Sequence, residues 1–318
     1  MIALYITLGI IVLLSAIFLA ASYYAYRITF LAGKRKKRDP YNGIDKRGYK
    51  QYEPVLRALI DNIVSLPYEK VEITARDGAR LFARYYHACD GAPLEIQCHG
   101  YRSTGLRDFA GSGIAYRERP YNLLLIDQRS HGESDGNVIS FGIRERFDVI
   151  DWVNYSIDRF GADVKIVLYG ISMGGATVLM AAGEPLPENV KCVIADSPYS
   201  SPIDIIAKVG VEKGFPRFLI RPLAICAARI FGGFSLTSAS PVEAVKRARV
   251  PILVIHGDGD TFVPDYMSDE IYRANTNVIL RKFQGADHAA SYLSDTPRYL
   301  RIVDGFVDEF VKGEKNEY

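Results

Sequence analysis

The sequence predicts an α/β protein: a mostly parallel sheet with helices on both faces, a helical cap insertion between two strands, and an N-terminal transmembrane helix. Three observations carry that expectation. Short apolar runs at residues 94–98, 121–126, 164–169, 190–195, 252–255 and 278–283 are mostly separated by helix-length segments, the pattern of strands covered on both faces. The stretch 198–241 is far longer than an ordinary connection and is rich in Ile, Leu and Phe, so it reads as a cap of two helices broken near Gly214-Phe215-Pro216. From Ile2 to Tyr26 no side chain is charged, and at helical rise that length crosses a hydrocarbon core of about 30 Å.

Taken in order, residues 1–33 form the anchor and the start of its basic flank, 34–68 a linker and an amphipathic helix, and 69–318 a globular domain carrying the cap at 198–241. A cleaved signal peptide is the rival for the first segment, with small residues at Leu19-Ala20-Ala21-Ser22. The missing basic n-region and the length of the apolar run favour an uncleaved anchor. Arg27 and the run Lys34-Arg35-Lys36-Lys37-Arg38 follow the span and nothing basic but the terminal amine precedes it, so the positive-inside rule puts the globular domain in the cytoplasm. In the next segment Tyr49, Tyr52, Leu56, Leu59, Ile60 and Ile63 make an apolar stripe at helical spacing that should pack on the globular domain, ending by Pro67.

Composition narrows the function. A net charge of +2 over 318 residues, with the basic cluster near the anchor and no basic stripe across the domain, offers no footprint for a nucleic acid. Four cysteines without a C-x-x-C pair, two of them in expected strands, read as core thiols, and the five histidines show no metal-ligand spacing, so no metal and no cofactor is expected.

Within the domain, residues 70–76 and 80–87 alternate around Asp77-Gly78 and read as a hairpin of two antiparallel edge strands. In a parallel sheet chemistry collects beyond the carboxyl ends of the strands. After the run ending at Tyr169 comes Gly170-Ile171-Ser172-Met173-Gly174-Gly175, a sharp strand-to-helix turn that would project Ser172 as a nucleophile. After Cys98 comes His99-Gly100-Tyr101-Arg102-Ser103, whose Tyr101 N–H, with that of Met173, could donate to an oxyanion. Tyr101's side chain is secondary in this reading, and His99 is structural. After Ile126, Asp127 to Ser134 should form a bracing network, with Asp127 pairing Arg129 or a nearby backbone group. Asp260 is the orienting carboxylate, ahead of Asp258 and Asp196, and His288 in the loop after the last strand is the general base.

With these residues in place the chain resembles the α/β-hydrolase superfamily from about Glu69 to Val311. The stretches HGYRST, DQRSHGES, GISMGG and HGDGDTFVP are similar to the serine aminopeptidase and monoacylglycerol-lipase-like branch, particularly its bacterial membrane-anchored hydrolases. The resemblance implies Ser172, Asp260 and His288 as nucleophile, acid and base, with Tyr101 and Met173 as the oxyanion hole. Ser130 departs from it, where many relatives carry glycine. The function so implied is hydrolysis of an ester, or an amide, of a small-molecule or lipid-like acyl substrate through an acyl-enzyme. An acyltransferase or serine peptidase with the same triad is the nearest alternative, and a non-catalytic membrane-tethered binding protein is the alternative from another class.

Overall fold

In the computed structural model, which describes residues 1–33, 39–45, 48–112 and 121–314, the described strands form one eight-stranded sheet in the order β1-β2-β4-β3-β5-β6-β7-β8. The strands are β1 (Glu69–Thr74), β2 (Arg80–Tyr86), β3 (Leu94–Cys98), β4 (Asn122–Asp127), β5 (Ile166–Ile171), β6 (Val190–Asp196), β7 (Ile252–Gly257) and β8 (Val278–Phe283). β1 and β2 are antiparallel and β2 joins β4 antiparallel, while β3 to β8 are parallel to one another. The expected mostly parallel sheet is therefore present; of the two hairpin strands only β1 is at an edge, because β2 also pairs with β4, and β8 forms the opposite edge. β5 begins two residues later than its apolar run suggests and extends through Ile171, because Val164 still belongs to the turn after the preceding helix.

The helices are α1 (Ile2–Thr29), α2 (Glu53–Ser65), α3 (Gly105–Asp108), α4 (Glu145–Phe160), α5 (Met173–Ala182), α6 (Pro202–Glu212), α7 (Arg217–Cys226), α8 (Pro241–Val245), α9 (Tyr266–Ala274), α10 (Ser291–Ser294) and α11 (Thr296–Lys312). Alternation along β5 distributes its side chains to two cores. Ile166 and Leu168 join Trp152 and Val153 of α4 and Val178 of α5, whereas Val167, Tyr169 and Ile171 join Val303, Phe306 and Val307 of α11. Cys98 and Cys192 are buried in these cores, and burial pushes both thiols up from their ordinary pKa.

α2 turns Leu56, Leu59, Ile60 and Ile63 inward, as its stripe requires, each buried side chain contributing about 1.5–3 kcal/mol. The cap is two helices with the break at residues 213–216, and a π-helical turn, Ala227–Phe231, continues α7. Among the described residues α1 is the one helix long and apolar enough to cross a membrane. It runs past Tyr26 to Thr29, and its last turns pack on protein: Ser22 and Tyr26 are buried, and Phe30 just beyond is fully so, edge-on to Phe141 and Phe234. The basic run at 34–38 lies outside the described residues.

Candidate active site

The sheet order changes direction at β3: β4 lies on one side of it and the next strand, β5, on the other, which opens a crevice beyond their carboxyl ends. Ser172 stands there, directly after β5. Its backbone is left-handed, φ 56° and ψ −117°, a conformation that costs a non-glycine residue about 1–3 kcal/mol. The surroundings enforce it. A Cβ on Gly170 would lie 2.1 Å from the Gly174 carbonyl oxygen, and one on Gly174 would lie 1.8 Å from that of Cys98, so strand and helix meet this closely only through glycine. The Ser172 N–H is tied to the Asp196 carbonyl at 2.8 Å, and its own carbonyl accepts the first helical bond of α5, from Ala176.

The other two predicted side chains arrive from β7 and β8. His288 Nε2 lies 2.9 Å from Ser172 Oγ, and His288 Nδ1 lies 2.6 Å from Asp260 Oδ2. An ionised carboxylate accepts only, so Nδ1 carries the proton and Nε2 presents its lone pair to the Ser172 hydroxyl. Phe262 packs edge-on to the imidazole at 5.1 Å between centroids. Asp260 is buried and saturated with donors: Oδ1 accepts the Phe262 and Val263 N–H groups at 2.8 Å each, and Oδ2 accepts from His288 and from His256 Nε2 at 3.2 Å. Burial by itself would raise this carboxyl's pKa, but the hydrogen bonds from the two histidines outweigh it and hold the group well below the usual carboxylate range.

The two other candidate carboxylates are engaged elsewhere. Asp258 accepts the Gly285 N–H at 2.6 Å, and Asp196 accepts the Ser197 and Tyr299 hydroxyls at 2.8 and 2.7 Å. Gly100 stands against Ser172: a Cβ there would be 3.3 Å from the Ser172 Cβ, so the Tyr101 loop borders the site. Met173 opens α5, where backbone N–H groups precede the first helical bond, and its side chain is buried.

Residues 98–221 match the family described as the alpha/beta hydrolase fold. An esterase of Pyrococcus furiosus superposes with a TM-score of 0.60 at 22% identity, over 78% of this chain and 92% of that chain. The chain has the α/β-hydrolase fold. The chain is also similar to the uncharacterized protein YqkD of Bacillus subtilis, at 26% identity over 67% of this chain and 70% of the relative. A second relative is the uncharacterized membrane protein YNL320W of Saccharomyces cerevisiae, at 23% identity over 95% of each chain.

Several contacts around the site escape sequence reasoning. His256 is the second imidazole on Asp260; its Nε2 also faces the Val263 carbonyl at 2.9 Å, so Nε2 carries a proton, and its Nδ1 pairs with the Ser268 hydroxyl at 2.5 Å. Its place four residues before Asp260 was the available signal. The Tyr101 side chain has contacts of its own away from Ser172: its hydroxyl donates to the Thr29 carbonyl at 2.6 Å, and its ring stacks on Phe141. The adjoining Arg102 Nη2 donates to the carbonyls of Ile28 and Leu31 at 3.1 and 2.8 Å, so the loop after β3 caps the end of α1. The Tyr49 hydroxyl donates to the His288 carbonyl at 2.9 Å.

In the bracing loop Arg129 pairs with Asp148 and Asp77, not with Asp127, because its guanidinium points toward α4. Asp127 instead accepts the Glu133 N–H at 2.9 Å, the backbone alternative. His99 is fully buried: its Nδ1 donates to the Gly100 carbonyl at 2.9 Å and its Nε2 accepts the Gln128 N–H at 3.3 Å, a structural arrangement. Ser130 adopts φ 67°, the conformation for which glycine is suited, and its hydroxyl donates to the Val138 carbonyl at 2.9 Å.

Above Ser172 lies a cavity of about 380 Å³ whose walls are chiefly apolar, among them Tyr199, Ile205, Val209, Leu219, Leu223 and Phe262. That volume lies within the range of small-molecule sites.

Proposed function

We propose that this α/β-hydrolase is a serine hydrolase that cleaves a carboxylic ester of a hydrophobic acid. The observation that carries the reading is the His288 imidazole suspended between Ser172 Oγ at 2.9 Å and Asp260 Oδ2 at 2.6 Å. In this mechanism His288 Nε2 takes the hydroxyl proton as Ser172 Oγ attacks the ester carbonyl, and Asp260 holds the imidazolium that forms. The Tyr101 and Met173 N–H groups receive the developing oxyanion. His288 then gives its proton to the departing alkoxide, leaving an acyl-Ser172, and water activated by the same imidazole releases the acid. The apolar cavity favours a hydrophobic acyl ester over a peptide.

The positive-inside pattern of Arg27 and Lys34 to Arg38 supports a single-pass anchor with the catalytic part in the cytoplasm. Digestion of the domain by protease added outside intact cells would refute that orientation. For the chemistry the test is Ser172→Ala, which is expected to lower kcat for p-nitrophenyl esters by about 10⁴-fold or more and to end fluorophosphonate labelling, with thermal unfolding preserved. Undiminished turnover would refute the assignment.

A further inference from the structure

The last turns of α1 do two things a simple tether has no need to do. Their carbonyls at Ile28 and Thr29 are bound by the loop that borders Ser172, through Arg102 and Tyr101. In addition, Ala21, Tyr24, Ala25 and Ile28 line the same cavity as Ser172. The spacing explains both. Ala21 and Ser22, Ala25 and Tyr26, Thr29 and Phe30 recur every four residues, so one stripe of the helix lies against the protein, while residues 2–19 are exposed. Small side chains at Ala21 and Ala25 leave room between this stripe and α7, where a larger residue would close the cavity.

Helix length sets where the cavity lies relative to a bilayer. Spanning a core of about 30 Å needs about 20 residues, which Ile2 to Ala21 supply, so the cavity-lining turns begin where the hydrocarbon ends. Next to them the cap exposes Phe218 at 78% and Ile230 at 59%, with Arg27, Arg217 and Arg229 exposed around them, the mixture suited to a lipid boundary. From Ala21 to Thr29 the helix rises about 12 Å, enough to follow a chain of several methylenes down to the nucleophile.

We propose that the C-terminal two turns of α1 are a wall of the acyl-binding cavity, so that the anchor itself selects among esters by the length of an acyl chain arriving from the bilayer. This rests on the serine-hydrolase reading. The ester is an amphiphile whose carbonyl reaches Ser172 while the rest of its chain runs between α1 and the cap helices. Alanine at position 25 keeps that passage open.

The test uses the full-length protein in phospholipid vesicles. Ala25→Trp is expected to lower the ratio of kcat/KM for p-nitrophenyl palmitate to that for the acetate by about tenfold, the equivalent of two methylenes no longer buried. Leu13→Trp, on the exposed part of α1, is expected to keep the wild-type ratio within about twofold. Wild-type protein treated with a hexadecyl fluorophosphonate bearing a terminal diazirine should, after irradiation, carry the cross-link within residues 21–29. An unchanged ratio in a labelled Ala25→Trp protein, or cross-links confined to α6 and α7, would overturn the proposal. If Ala25→Trp fails to fold, the wild-type cross-link decides alone. Absence of any label on wild-type Ser172 would instead remove the hydrolase reading, and this inference with it.

Discussion

Two neighbouring strand ends each bury an aspartate, and they use it in opposite ways. Asp196, at the end of β6, is surrounded by hydroxyls, from Ser197 and Tyr299, and burial raises its pKa from the ordinary value even though those hydrogen bonds favour the charge. Asp260, just beyond β7, is also buried but faces two imidazoles, whose hydrogen bonds and charge drive its pKa down, together with two backbone N–H groups. Depth alone therefore does not decide which carboxylate can support a histidine; the donors around it do. The Asp196 shell keeps a hydroxyl network in register. The Asp260 shell keeps a full negative charge directed at His288.

The strongest way to break this contrast is to neutralise each group in turn. Asp260→Asn should lower kcat on p-nitrophenyl esters by about 10⁴-fold, through loss of the tautomer that frees Nε2, while Asp196→Asn should cost less than about tenfold. Equal losses would mean that the two carboxylates share the work. A smaller effect sharpens the same point through His256, which touches Asp260 and no reacting atom in this arrangement. His256→Phe should reduce kcat by about tenfold and leave KM little changed, because a donor that orients the carboxylate is gone. A drop as deep as that of Asp260→Asn would make His256 part of the proton path.

The smallest expected effect is on stability and has opposite signs for the two residues. For Asp260 the folded pKa is depressed, so its contribution is complete above the unfolded value, about 4, and is lost as pH falls below it. For Asp196 the folded pKa is raised, so the native state binds the extra proton and stability declines as pH rises above about 4. Melting temperatures of the two Asn variants, taken against wild type across pH 3–8 in detergent, should diverge in opposite directions. Parallel curves would dissolve the distinction.

Much of this was legible from sequence because it is local. The strand runs, the glycine-flanked Ser172 turn and the loops holding Asp260 and His288 are each specified within a few residues, and the parallel topology brings them to one edge. Contacts that use a main-chain oxygen were not legible. The acceptor for Tyr101 is the carbonyl of Thr29, 72 positions earlier, and a carbonyl leaves no trace in residue type. Nor does the docking stripe on α1 stand out, since Ala21, Ala25 and their neighbours sit in a helix apolar all round, where no polarity contrast marks the buried side. Arg129 showed the opposite failure: its charge was visible and Asp127 was its expected partner, but Asp148 takes that place once α4 is packed on the loop.

The chain leaving α1 does not dangle. Ala32 donates to the Asn137 carbonyl and Ile139 to that of Phe30, both at 2.8 Å, and Leu31 bridges Val138 in antiparallel fashion. A joint pinned in this way gives the globular body no swivel about its stalk. In a bilayer such a molecule would drift as one piece with its mouth at a fixed height, so encounters with lipid would be a search in two dimensions, governed by surface density and leaflet fluidity instead of bulk concentration.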